Sequence, residues 1–179
     1  MQSIVRASAM AALFVAAALA GGCTVRPMLA TAPDDAGASY TSQLSSISIA
    51  EVNERFAQEV RNHLIFLLNG GAGQPANPAY RLNLSVTRSV VAAVRVQSGG
   101  IHEPTAGNVQ LTGRYTLVDA ATGATVAQGT QQATASFDRP RQEFAVVRAI
   151  EDAENRAARE LAEFIRLSLA QDLIRLSGE

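Results

Sequence analysis

The stretch that decides the fold is Tyr80–Gln97, with the sequence YRLNLSVTRSVVAAVRVQ. Its even-numbered positions are apolar except for Arg88, and its odd-numbered positions begin polar, from Arg81 to Ser89. Because successive side chains of a strand point to opposite faces, this alternation predicts one long strand with one buried face. An unpaired charge on a buried face is costly, so Arg88 is expected either to pair with a helix carboxylate or to bind a ligand.

Two elements are predicted before the long strand. Leu44, Ile47 and Ile49 mark a short strand in which isoleucine alternates with serine. The next apolar residues recur at helical spacing and predict an amphipathic helix: Val52, Phe56, Val60, Leu64, Leu67 and Leu68. Ser48 and Glu51 have the spacing of a capping box at its start, and Asn69-Gly70-Gly71 is typical of a helix end.

Two further strands are predicted after the long one. Val109–Leu117 alternates apolar and polar residues, and a turn at Asp119–Gly123 leads into a weaker strand over Ala124–Phe137. The alternation of that last strand slips near Gln128-Gly129, which suggests a β-bulge there.

The chain closes with one long helix. Pro140 suits its first turn, and apolar residues at helical spacing continue from Val146 to Leu173. The order of elements is therefore β-α-β-β-β-α. It predicts an α+β fold: a four-stranded, mainly antiparallel sheet with two helices packed on one face, forming a single domain over residues 41–179.

The first 22 residues form a predicted signal peptide. Arg6 precedes the apolar run Ala9–Ala20, which is shorter than the roughly 20 apolar residues that a membrane-spanning helix needs. Ordinary cleavage after Ala18-Leu19-Ala20 would leave a free thiol in an exported protein. The segment Leu19–Cys23, LAGGC, instead resembles a bacterial lipobox, in which the cysteine is lipidated.

Lipidation at Cys23 would anchor the chain to a membrane through its N-terminus. Residues 23–40, rich in small residues and containing two prolines, are predicted to form the lipidated N-terminus and a flexible tether. In bacterial lipoproteins an aspartate after the cysteine favours inner-membrane retention. Thr24 occupies that position here and implies the outer membrane.

Composition and motifs exclude several classes of function. A formal net charge of -1 argues against a nucleic-acid binder. The two histidines, His63 beside the helical stripe and His102 in a loop, have no third ligand residue near them in sequence, so no metal site is predicted. No nucleophile motif or convergent carboxylate pair is present, and we predict neither a catalytic site nor a cofactor.

The order of these parts resembles the LptE family of lipopolysaccharide-assembly lipoproteins, whose members sit inside an outer-membrane β-barrel. The resemblance covers the lipidated Cys23, the helix Arg55–Leu64 (RFAQEVRNHL), the strand opening Tyr80–Leu84 (YRLNL), the hairpin and the long closing helix. It implies a non-enzymatic lipoprotein on the periplasmic side of the outer membrane. The implied partners are a β-barrel lipopolysaccharide-assembly protein and lipopolysaccharide itself.

At Val90–Val94 both faces of the long strand become apolar, which requires a cover from local loops or from a partner. Arginine forks suit the phosphates of lipopolysaccharide. The candidate contacts with lipopolysaccharide or the barrel are Arg88, Arg95, Arg114, Val91 and Ala93. Two other classes stay open: an auxiliary lipoprotein subunit of a lipid ABC transporter, and a cell-wall enzyme if two carboxylates converge.

Overall fold

The computed structural model describes residues 42–95 and 104–177. One helical turn at residues 42–45 precedes six elements: β1 (Ile47–Ile49), α1 (Arg55–Asn69), β2 (Tyr80–Arg95), β3 (Pro104–Asp119), β4 (Thr125–Asp138) and α2 (Glu143–Ser177). The described strands lie in the order β1-β2-β3-β4, and among them the β1–β2 pair is parallel while the other two pairs are antiparallel. The predicted α+β fold, mainly antiparallel with two helices on one face, is confirmed.

Burial follows the alternation that the sequence shows. Leu82, Leu84 and Val86 of β2 are buried, whereas Arg81, Asn83 and the following odd-numbered residues are exposed. The buried side chains of the sheet and of both helices form one core. The largest fully buried side chains lie in every element except β4: Ile47, Val60, Leu64, Leu82, Val109, Leu111, Leu117, Leu161, Ile165, Leu169 and Leu173. Each contributes about 1.5–3 kcal/mol by leaving water, which makes this core the main stabilising term.

Helix α1 begins later than a capping box at Ser48 and Glu51 would allow. Ser48 belongs to β1, where its hydroxyl donates to the carbonyl of Tyr80 at 3.4 Å, so it cannot cap a helix and this prediction is wrong. The helix begins at Arg55 instead. Its end agrees with the sequence, because Gly70 has φ 58°, a left-handed conformation that glycine adopts without strain.

Two glycines of the sheet leave room for aromatic rings on neighbouring strands. Gly129 is paired with Tyr115, and a Cβ added at Gly129 would lie 2.6 Å from Tyr115 Cζ. Gly107 is likewise paired with Phe137, and a Cβ added at Gly107 would clash with the Phe137 ring. The predicted bulge at Gln128-Gly129 is therefore wrong, since both residues pair in register and the irregularity in β4 falls at Val126.

Helix α2 begins at Glu143, three residues after Pro140, so Pro140 lies before the helix rather than in its first turn. Most of the predicted apolar stripe is buried, from Val146 to Leu173. The helix also buries two acids, Glu154 and Asp172. None of the described helices combines the length and the apolar character that crossing a membrane requires.

Candidate functional site

The sheet face opposite the helices is polar along most of its length. The register aligns side chains of three strands in rows such as Asn83–Thr116–Gln128 and Thr87–Thr112–Gln132. These residues are uncharged hydroxyls and amides that are exposed or half-buried. We call this surface the polar face; its residues are the odd-numbered positions 81–91 of β2 and the even-numbered positions 108–118 of β3 and 128–136 of β4. Such a surface can exchange hydrogen bonds with sugars, water or another polar wall.

Arg114 lies at the middle of the polar face, in the row formed with Ser85 and Thr130. Its side chain is exposed, and no hydrogen bond or ion pair holds it within the described part of the chain. Arg81 adds a second exposed cation at the β1 end of the same face. A free guanidinium among uncharged hydrogen-bonding groups can bind a phosphate or carboxylate through two parallel hydrogen bonds.

Val91 lies on the polar face at its far end, paired with Asn108, and is 56% exposed. Its neighbour Val90 points to the helix side and is 42% exposed. Both apolar side chains are therefore uncovered by the described residues. Backbone pairing continues to Arg95, but the side chains of Ala93 and Arg95 lie outside the described residues, as does Cys23.

Arg88 has a partner. Its Nη1 donates to Oε1 of Glu154 on α2, and its guanidinium lies 5.5 Å from the centre of the Phe56 ring on α1. Arg55 of α1 donates through Nη2 to the other carboxylate oxygen of Glu154 at 2.6 Å and through Nη1 to Asn155 at 3.0 Å. Glu154 is 4% exposed as a side chain, while both arginines remain close to half exposed. This arginine cluster joins β2, α1 and α2 at one point.

A groove of about 350 Å³ runs beside the arginine cluster. Its apolar wall consists of Val90, Val147 and Ile150, and its polar wall consists of Arg55, Arg88, Glu151 and Glu154. Arg88 and Arg114 project from opposite faces of the sheet, since Arg88 pairs with Leu111 of the buried face. The structure therefore places Arg88 and Arg114 on two different surfaces rather than joining them in one site.

A second buried polar contact lies near the other end of α2. The hydroxyl of Tyr115 donates to Oδ2 of Asp172 at 2.8 Å, and Arg175 pairs with the other oxygen of that carboxylate. Burial raises the pKa of Tyr115 to about 12, and the bond to Asp172 adds to the shift. A phenol held neutral in this way is suited to a structural role, since it neither accepts nor releases a proton near neutral pH.

No metal centre is found among the described residues, and the two carboxylates that line the groove, Glu151 and Glu154, are each paired with arginine. No group of three or more potential metal ligands occurs in the part of the chain that the structure describes. His63 lies half-buried, with Nε2 3.9 Å from Glu59, and His102 lies outside the described residues. The two buried acids, Glu154 and Asp172, are each engaged by arginine and sit more than four helical turns apart along α2.

Sequence reasoning missed Glu154 and Arg55. The missed signal is in the helix periodicity, because Ile150, Glu154, Ala157 and Leu161 share one helical face. The sequence therefore contained a usable signal: Glu154 lies on the apolar stripe of one helix, and Arg88 lies alone on the apolar face of a strand. The two could have been predicted to pair.

Comparison with known proteins gives one family. The family model described as LptE: Lipopolysaccharide-assembly matches residues 44–169. No curated protein matches the chain. Among solved structures, a candidate lipoprotein from Caulobacter crescentus is 28% identical, with a TM-score of 0.63; the match covers 79% of this chain and 98% of that chain.

Two more distant structures have the same fold. Rare lipoprotein B from Shewanella oneidensis is 14% identical with a TM-score of 0.53, and the match covers 73% of this chain and 96% of that one. A minor lipoprotein from Acinetobacter baumannii is 13% identical with a TM-score of 0.50, covering 70% of this chain and 89% of that one.

Proposed function

The chain belongs to the LptE lipopolysaccharide-assembly family, and from this we propose that it is a lipoprotein of the outer membrane. Lipid on Cys23 anchors it to the periplasmic side, and the folded domain binds and plugs a β-barrel partner that assembles lipopolysaccharide at the cell surface. The observation that supports the proposal most strongly is the extent of the family match. Residues 44–169 include all four strands, α1 and most of α2.

The polar face supports the plug role on physical grounds. The interior of a large β-barrel is polar and often water-filled, so a plug must offer hydrogen-bonding groups rather than apolar side chains to the barrel wall. Rows of threonine, serine, asparagine and glutamine on the polar face meet that need. They also form hydrogen bonds through bridging water, which tolerates an imperfect fit between two surfaces.

Arg114 gives the polar face its means of binding lipopolysaccharide. The phosphates of that lipid are dianionic groups that a guanidinium binds bidentately, and Arg114 is exposed with no competing carboxylate among the described residues around it. Arg81 offers a second positive charge on the same face. Arg88 is a weaker candidate than its sequence position suggested, because it already pairs with Glu154.

The test of the anchor and the partner is a pull-down of the tagged full-length chain in mild detergent. Mass spectrometry identifies the proteins recovered and the modification on the N-terminal peptide. A near-equal amount of a large outer-membrane β-barrel, together with acylated Cys23, is the expected result. Recovery of transporter subunits would move the function to the auxiliary-subunit alternative, and recovery of neither would contradict the plug role.

The test of the polar face is a pair of charge reversals. Arg114→Glu should reduce lipopolysaccharide capture by the purified chain about tenfold, because a phosphate would meet a carboxylate in place of a guanidinium. Arg159→Glu, an exposed arginine on α2, makes the same change in net charge away from this face. Equal losses in the two variants would show that capture depends on overall charge and not on the polar face.

A further inference from the structure

Among the residues that the structure describes, none pairs with the outer edge of β2 over most of its length. Strand β1 pairs only with residues 80–82, and its last contact is the bond from Ala50 N to Leu82 O at 2.9 Å. From Asn83 to Val91 the strand is regular on its β3 side, without proline or glycine. An edge of this kind is a ready template for another extended segment, because its backbone groups have no partner.

The direction of these backbone groups follows from the two bonds that β1 and its flank make. Tyr80 N donates to Ser46 O, and Leu82 O accepts from Ala50 N, so even-numbered residues of β2 present their N–H and C=O groups outward. The same alternation gives the outward set Leu84, Val86, Arg88 and Val90. None of these backbone groups has a hydrogen-bond partner outside β2 among the described residues.

On the opposite edge of the sheet, one outward backbone group already has a partner within the described residues. Helix α2 packs mainly on β4, and Arg156 of α2 donates to the carbonyl of Ser136 at 2.8 Å. Beside the β2 edge lies the groove lined by Val90, Val147 and Ile150. An added strand would therefore place every second side chain in this groove. There it would cover Val90 and Val147, which are exposed in the described structure.

The charged residues that line the groove indicate which side chains an added strand would carry. Glu151 is paired with Arg148 at 2.8 Å, and Glu154 is shared by two arginines. Arg88, on the edge strand itself, uses one of its guanidinium donors in the described bonds and keeps 43% of its side chain exposed. A side chain directly opposite Arg88 on an added strand is best acidic, and a basic one would be repelled.

We propose that the Leu84–Val90 edge of β2 binds an extended segment of another protein by strand addition. That segment carries an acidic side chain opposite Arg88 and an apolar side chain two residues away, opposite Val90, in the groove. A second copy of this chain fits less well, since its own β2 edge offers no acid to Arg88 and adds a further arginine. The proposal rests on the edge and the groove and is independent of the barrel-plug role.

The test uses the full-length chain in mild detergent and a synthetic peptide of about nine residues that alternates serine or threonine with valine, with one valine replaced by glutamate. Binding is measured by fluorescence anisotropy, and amide exchange of the protein is measured by nuclear magnetic resonance. Peptide should slow exchange at Leu84, Val86, Arg88 and Val90 at least about tenfold, because these amides become hydrogen-bonded.

Peptide variants distinguish binding through backbone hydrogen bonds from non-specific binding. N-methylation of the amides along one edge of the peptide should weaken binding about 100-fold, and the same modification along the other edge should weaken it less than about threefold. Replacing the glutamate by glutamine should weaken binding about tenfold, and replacing it by lysine should weaken it further. No binding at about 1 mM, or equal effects of the two methylated series, would overturn the proposal.

Two adjacent residues of the protein provide matched variants. Val90→Pro removes one outward N–H from an exposed position and should weaken peptide binding about tenfold. Val91→Thr changes a side chain on the polar face whose N–H faces β3, and it should leave binding within about twofold, with circular dichroism reporting that both variants are folded. Slow exchange of the outward amides in the absence of peptide would overturn the proposal. If the slow exchange depended on protein concentration, a second copy of the chain would occupy the edge. If it did not, the chain's own N-terminal segment would occupy it.

Discussion

The arginine cluster around Glu154 gives the sharpest test of how the domain is held together. Arg55→Ala and Arg88→Ala should each lower the free energy of unfolding by about 1–2 kcal/mol. Each change removes one charge-assisted hydrogen bond to Glu154, worth about 1.5–3 kcal/mol, from an arginine that is nearly half exposed and therefore partly screened by water. Arg55→Ala also removes the hydrogen bond to Asn155. After either single change, Glu154 keeps one guanidinium partner.

The double variant is expected to behave differently. With both arginines gone, Glu154 stays buried without a cation, and the combined loss should be about 3–5 kcal/mol, exceeding the sum of the single losses by about 1 kcal/mol. Adding Glu154→Leu to the double variant should then recover stability, because it removes the buried charge.

The assay is urea unfolding of the full-length chain at neutral pH, followed by far-ultraviolet circular dichroism. Arg148→Ala is the matched control: it breaks the pair between the exposed Arg148 and the partly exposed Glu151 on α2, and should cost less than about 0.5 kcal/mol. Simple additivity of the two arginine changes, or further destabilisation by Glu154→Leu in the double variant, would refute the reasoning.

Three further predictions concern the sheet and the helix end. Gly129→Ala should lower the free energy of unfolding by about 2–4 kcal/mol, because the new Cβ displaces the Tyr115 ring from Asp172. In a Tyr115→Leu background the same change should cost less than about 1 kcal/mol. An equal cost in both backgrounds would argue against this cause. The folded pKa of Tyr115 is raised from 10.0 to about 12, so its contribution is fully present below pH 10.0 and is lost as pH rises towards about 12. Unfolding titrations should show a loss of about 2–3 kcal/mol across that window, and Tyr115→Phe should abolish this component of the slope. Gly70→Ala should cost about 1 kcal/mol by straining the left-handed helix end, measurable as a lower urea midpoint, whereas an unchanged midpoint would show that the end relaxes freely.

Much of the fold could be predicted because its signals are local. The alternation over Tyr80–Gln97 predicts β2 and its buried face, and the same period identifies the buried positions of β3. The turn at Asp119–Gly123 is confirmed: Asp119 accepts hydrogen bonds from the backbone N–H groups of Ala121 and Thr122, and Gly123 has φ 74°. Bonding to Thr122 lowers the pKa of the Asp119 carboxyl.

Element starts were predicted less well, because the local signals that mark them can be overridden by pairing elsewhere. Ser48 has the sequence spacing of a helix cap, yet β1 uses it as a strand residue beside Tyr80. Gly129 suggested a bulge, yet it is a regularly paired residue that makes room for the ring of Tyr115 on the next strand.

The candidate surfaces could likewise be predicted from the sequence only in part. Alternation in sequence was enough to place Arg114 among polar side chains and Arg88 on the buried face, because a strand's side-chain directions depend only on neighbouring residues. Which group would neutralise Arg88 could not be known from β2 alone. The sequence by itself determined the elements, their faces and the candidate anchor at Cys23. Only the tertiary structure decided that Glu154, 66 residues away, meets Arg88 and that β1 covers only the first residues of the outer edge of β2 within the described part of the chain, because both depend on which elements pack side by side.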